Sequence, residues 1–234
     1  MGYDHLLYSW RTTGGMCMQI INDFILKLQE MFQDLPGKLS YLFSKPSTII
    51  TIIALVVMLI LLIRVKKVKL NTKLLVLIAV TVALSTILGS ITLYRLPQGG
   101  SITPGSMVPI LLLAFIYSPE VGFIGGLVYG ILNLITGPYI VHPMQVLLDY
   151  PLPFMLLGTA GYFKNTYLGC TSAVLLRFIA HVFSGVIFFA EYAGNQNPWI
   201  YSMVYNGSYI LPELLITLVI FAILPLSRLK AATV

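Results

Sequence analysis

Apolar residues fill this chain in long unbroken runs and do not alternate with polar ones. After a mixed stretch over 1–46, seven runs follow, at 47–63, 73–94, 106–118, 120–137, 143–163, 168–190 and 199–225. Strands of a membrane barrel would alternate with period two in roughly ten-residue pieces. The runs therefore predict helices, the other way to satisfy backbone N–H and C=O groups in lipid. Most approach the ~20 residues that a straight span needs. The run 106–118 is short, and its glycine and proline flanks predict a tilted or half-buried helix. Upstream, IINDFILKLQEMFQDL (20–35) sets Ile21, Phe24, Ile25, Leu28, Met31 and Phe32 at helical spacing, as in an amphipathic helix on a membrane surface. Its charged and apolar parts are in the wrong order for a cleavable signal. The expected organisation is an interfacial region over 1–46, an added transmembrane helix and basic loop over 47–70, and a six-helix membrane domain over 71–234.

Composition strengthens this picture. The chain is 58% hydrophobic and 9% charged, whereas soluble domains carry about 25% charged residues. A soluble globule could not cover its surface with so few charges, so the fold class is an all-α integral membrane protein. Arg64, Lys66, Lys67, Lys69 and Lys73 crowd into the loop RVKKVKLNTK (64–73), which marks the cytoplasmic side. The turn at Pro119, the Lys164 loop and the tail with Arg228 and Lys230 share that side. The loops 95–105, 137–142 and 191–198 then face outward. The net charge of +6 belongs to these inner loops and gives no reason to expect nucleic acid. Cys17 and Cys170 stand alone, without zinc-site or disulfide spacing. No P-loop, GxSxG or HExxH motif occurs, so no catalytic residue, metal or cofactor is expected.

Polar chemistry inside the runs is scarce. In QVLLDYP (145–151), Asp149 lies about six residues inside the outer end of its run, ~9 Å deep at the helical rise. A carboxylate there is costly unless something offsets it. Arg177 and Glu213 sit mid-run, and His181 lies at i+4 from Arg177. Tyr139, Gln145, Tyr150, Phe189, Trp199, Tyr201 and Asn206 gather at the outer ends. A carboxylate among aromatic faces suits an organic cation with a flat ring. Other readings stay open: Asp149 paired with Arg177, Arg177 with Glu213 as a structural ion pair, and Trp199, Tyr192 and Tyr205 as an aromatic belt. His142 and His181 differ in depth, which argues against a metal pair. The glycines of GFIGGLVYG (122–130) predict close helix packing, and Ala79 and Ala83 form a small-residue face.

The blocks GGSITPGSMVPILLL (99–113), ITGPYIVHPMQVLLDYP (135–151), RFIAHVFSGVIFF (177–189) and NPWIYSMVYNGSYI (197–210) together resemble the ThiT family, the thiamine-specific S-components of energy-coupling factor (ECF) transporters. The resemblance covers about 73–225. It implies a six-helix S-component core, here with an extra N-terminal hydrophobic helix. It also implies a thiamine site at the outer helix ends made by Asp149, Tyr150, Tyr139, Phe189, Tyr201 and Asn206. Arg177, Gln145 and Trp199 are expected behind that shell. Ala79 and Ala83 match the pattern by which S-components dock on the ECF transmembrane subunit. The chain departs from relatives that carry Trp-x3-Glu before the second core helix, since Gly100 and Pro104 fall near those positions. The lid is expected to close with backbone, Gln98, Ser101 or Thr103.

The resemblance implies a multi-pass protein of a bacterial-type plasma membrane that captures thiamine outside. Two ATPase subunits and the transmembrane subunit of an ECF module would drive its release inside. The alternatives are an S-component for another vitamin and a proton-coupled secondary transporter of a cationic small molecule.

Overall fold

A computed structural model describes residues 46–231 together with 22, 25, 26 and 29. The chain divides into two compact units, Met1–Ile50 and Thr51–Val234. In the first, Asn22, Ile25, Leu26 and Gln29 are helical and exposed; the rest of the expected amphipathic helix over 20–35 lies outside the described residues.

The expectation of a helical membrane protein holds. The long helices are α1 (Pro46–Val65), α2 (Thr72–Ser90), α4 (Pro119–Thr136), α7 (Thr166–Phe188) and α8 (Pro198–Ile223). All five are long and apolar enough to cross a bilayer. The sequence marks their starts. The Asn71 side chain accepts from Leu74 N at 2.8 Å, Ser118 precedes Pro119 and accepts from Val121 N, and Asn197 precedes Pro198 and accepts from Trp199 N. These satisfy N–H groups that a helix start leaves unpaired.

Two of the seven runs do not form simple spans. The short run becomes α3 (Val108–Ile116), nine residues long and buried almost throughout, with Ile110, Leu111 and Leu113 in the core. A helix this short cannot cross lipid, and protein on all sides makes it tolerable at that depth. The run 143–163, expected as one helix, is broken. It forms α5 (Pro143–Asp149), α6 (Pro151–Leu156) and a 3₁₀ turn (Leu157–Tyr162). Pro151 cannot donate to Leu147, nor Pro153 to Asp149, so the ladder stops at Tyr150. The glycines of α4 lie against this break. A Cβ on Gly126 would strike the Phe154 carbonyl, and one on Gly130 would lie 2.5 Å from the Tyr150 carbonyl oxygen. The glycine-rich stretch is thus a packing surface for exposed backbone.

The main core joins Ile78 and Val82 of α2, α3, Val174 of α7, and Ile210 and Phe221 of α8. Within the second unit, Ala54 and Leu61 of α1 join Phe123, Leu148, Leu152 and Met155. One departure from helix lies between α2 and α3. There β1 (Tyr94–Arg95) and β2 (Ser101–Ile102) pair antiparallel around a turn in which Gly99 takes φ +93°, a conformation that favours glycine.

Candidate functional site

A cavity opens among the ends of α5, α7 and α8, beneath the β1–β2 hairpin. Asp149 ends α5 and faces into it. Gln145, one turn earlier and buried, donates from Nε2 to Asp149 Oδ2 at 2.6 Å. His181 Nδ1 lies 3.2 Å from Asp149 Oδ1. Both carboxylate oxygens are therefore held, while the side chain stays 16% exposed to the cavity, enough to meet a ligand.

Gln145 and Tyr150 also fix the neighbouring loop. Gln145 Nε2 donates to the Tyr139 carbonyl and its Oε1 accepts from Val141 N. The Tyr150 hydroxyl accepts from Tyr139 N at 2.7 Å. The Tyr139 ring, placed by these bonds, stacks on Phe189 with centroids 5.9 Å apart. Its hydroxyl meets Tyr192 at 2.8 Å. That hydrogen bond pushes the Tyr139 phenol above its ordinary value.

The opposite wall is α8. Tyr201 stacks on Tyr205 at 6.0 Å, and Tyr205 meets Tyr209 edge-on. The Tyr205 hydroxyl accepts from the backbone N–H groups of Gln98 and Gly100 at 3.2 and 3.3 Å, so α8 grips the hairpin that roofs the cavity. Gln98, Gly99, Gly100, Ser101 and Thr103 line it from above. A Cβ on Gly100 would lie 2.8 Å from the Tyr209 ring, so tyrosines of α8 fill the space that a bulky lid residue would need.

At the floor, Arg177 Nη1 pairs with Glu213 Oε2 at 3.1 Å. Its guanidinium lies 4.7 Å from the Phe154 ring centroid. Glu213 Oε1 accepts from Thr103 N and Thr103 Oγ1, at 3.1 and 2.5 Å. Arg177 Nε also points at His181 Nε2, 3.5 Å away. A continuous polar chain thus runs from Asp149 through His181, Arg177 and Glu213 to the base of the hairpin.

The cavity brings together Asp149, Tyr150, Tyr139, Phe189, Tyr201, Asn206, Arg177 and Gln145. Asn206 is heavily engaged. Its Nδ2 donates to the His181 and Ser202 carbonyls, and its Oδ1 accepts from Tyr209. Trp199 is not among the lining residues. It is 44% exposed and meets Phe183 edge-on. Asp149 contacts His181, and Arg177 takes Glu213 as its partner. Sequence reasoning missed His181, Tyr205, Tyr209 and Glu213 as cavity residues. A signal for the tyrosines existed, since Tyr201, Tyr205 and Tyr209 recur at i+4. Ala79 and Ala83 lie away from the cavity, exposed on α2. Among the described residues no group of His, Cys, Asp and Glu has a metal-binding arrangement.

The family model described as "Thiamine transporter protein (Thia_YuaJ)" matches residues 75–233. "Thiamine transporter ThiT" of Bacillus subtilis (strain 168) is 33% identical over 171 residues, covering 64% of this chain and 88% of that protein. The protein of the same name from Lacticaseibacillus paracasei is 27% identical over 140 residues, covering 50% and 70%. A solved structure of ThiT from Listeria monocytogenes shares the fold, with a TM-score of 0.60 at 24% identity over 68% of this chain and 96% of that one. The chain belongs to the thiamine transporter protein family and is a multi-pass membrane transport protein, not an enzyme.

Proposed function

We propose that this chain is the thiamine-binding S-component of an ECF importer, taking up thiamine in the cavity between α5, α7 and α8. The observation that carries the reading is Asp149, a carboxylate braced by Gln145 and His181 and open to a cavity walled by stacked aromatic pairs. Thiamine is a cation with two flat rings. Aromatic faces attract both ring and charge, and a fixed carboxylate supplies charge-assisted hydrogen bonds. In this reading Asp149 meets the cation or the aminopyrimidine, Tyr139, Phe189, Tyr150 and Tyr201 provide faces, and Asn206 holds the inner wall. Arg177 and Gln145 support the shell from behind, and no cofactor takes part.

The chain supplies the binding site, and the ATPases and transmembrane subunit of an ECF module supply the work. Ala79 and Ala83 support a docking role. They stand exposed beside Leu75, Val76 and Val80, and small residues at i, i+4 let another helix come close.

Calorimetry of the purified protein tests the reading. Asp149→Asn is expected to weaken thiamine binding by about 1–3 kcal/mol, the range for a charged hydrogen bond. Unchanged affinity removes Asp149 from the site. Ala79→Trp is expected to stop uptake in cells while leaving thiamine binding intact. Uptake that survives places the docking face elsewhere.

A further inference from the structure

The floor of the cavity poses an electrostatic problem for a cation site. Arg177 lines the same cavity as Asp149 and carries a permanent positive charge. Uncompensated, it would cancel Asp149 and repel a cationic ligand. Glu213 answers this with a carboxylate 2% exposed and 3.1 Å from Arg177. His181 adds no charge in this arrangement. Its Nε2 lies 3.5 Å from the Arg177 Nε donor, and the neutral tautomer that accepts there and donates from Nδ1 to Asp149 fits both contacts. Among the lining residues the charges are then Asp149, Arg177 and Glu213, which leave a net charge of minus one located at Asp149.

We propose that Glu213 is a positioning residue that sets the charge selectivity of the site: by neutralising Arg177 it leaves Asp149 free to select a monocation. This rests on the reading of the cavity as a thiamine site. The same carboxylate also holds the hairpin base through Thr103, so a shape role and a charge role coexist and must be separated. Glu213→Gln keeps the shape and an acceptor for Thr103 but leaves Arg177 unpaired. The expected result is a site that distinguishes a cation from a neutral molecule of the same shape less well.

The test compares thiamine with an isosteric analogue whose thiazolium is replaced by a neutral thiophene, by calorimetry on the purified full chain. A unit charge at ~10 Å and an effective dielectric near 20 corresponds to about a tenfold change in affinity. Glu213→Gln should therefore reduce the preference for thiamine over the neutral analogue by about tenfold. Glu213→Asp, which keeps the charge and alters the shape, should retain the preference even if both ligands bind more weakly. The double variant Arg177→Met with Glu213→Gln should restore it, because the pair is then removed as a neutral unit. This double variant also decides the matter if Glu213→Gln alone does not fold. Loss of both ligands in equal proportion in Glu213→Gln, or a double variant without cation preference, overturns the proposal. A wild-type protein that shows no preference for the cation, or an Asp149→Asn variant that keeps one, likewise overturns the proposal, whereas a wild-type protein that binds neither ligand overturns the underlying thiamine reading instead.

Discussion

Helices α1 and α8 are both long and apolar enough to cross a membrane, yet they do opposite things with their interiors. Among the residues of α1 whose burial is described, only Ala54 and Leu61 are buried; Ile53, Leu55, Val56, Leu59, Ile60 and Ile63 stand exposed. Helix α8 buries Ser202, Asn206, Tyr209, Glu213 and Thr217 at steps of three or four residues. Its exposed positions, such as Val204, Leu211, Leu215 and Val219, are as apolar as those of α1. Lipid therefore dictates the outer face of both helices, and only the inner face differs. Where a spanning helix turns a polar stripe inward, its polar groups need partners: Ser202, Asn206 and Glu213 find them on α7 and at the hairpin base, while Thr217 Oγ1 is buried without one among the described residues. A helix without such a stripe has no reason to approach a site.

The largest expected effect sharpens this contrast. Glu213→Ala removes the partner of both Arg177 and Thr103. Breaking a buried ion pair by deleting one member costs about 3–5 kcal/mol, because the remaining charge is left uncompensated. The unfolding midpoint in detergent should fall accordingly. A loss under about 1 kcal/mol would mean that water reaches Arg177 freely and that the polar stripe contributes little to the fold.

The same contrast explains what could be read from the chain. Spans were legible because lipid imposes long apolar runs. The break at Tyr150–Pro151 was written in the sequence as two prolines, but the apolar run continued across it and concealed the end of α5. Asp149 was identifiable as a group that needs a partner. Which partner it takes depends on how α5 lies against α7, and that placed His181 beside it and kept Arg177 with Glu213. The short hairpin left no hydropathy signal, since two-residue strands are too brief for a period to show. Trp199 carried the composition of a site residue and the exposure of an interfacial one. The region 1–45, apart from four helical residues, lies outside the described structure.

A second and smaller effect concerns the grip of α8 on the hairpin. Tyr205→Phe keeps the ring contacts with Tyr201 and Tyr209 but removes the acceptor for Gln98 N and Gly100 N. The expected cost is about 1 kcal/mol of thiamine affinity, the net worth of a typical hydrogen bond. It should be seen mainly as faster release in stopped-flow measurements, because the roof is held less firmly. If the release rate does not change, the hairpin is held by Glu213 and Thr103 alone.

The smallest effect is expected on α1, and it tests the other half of the comparison. Leu59 is 57% exposed and belongs to the face that the second unit leaves open. Leu59→Ala deletes atoms that touch little protein, so no cavity forms and no polar group loses a partner. Alanine is also a good helix former. Stability should change by less than about 0.5 kcal/mol, as for surface substitutions away from special features. Thiamine affinity should stay the same within error. Both are measurable beside Glu213→Ala in the same detergent. A clear fall in thiamine affinity would break the comparison, because it would tie a helix with no polar inner stripe to the binding site.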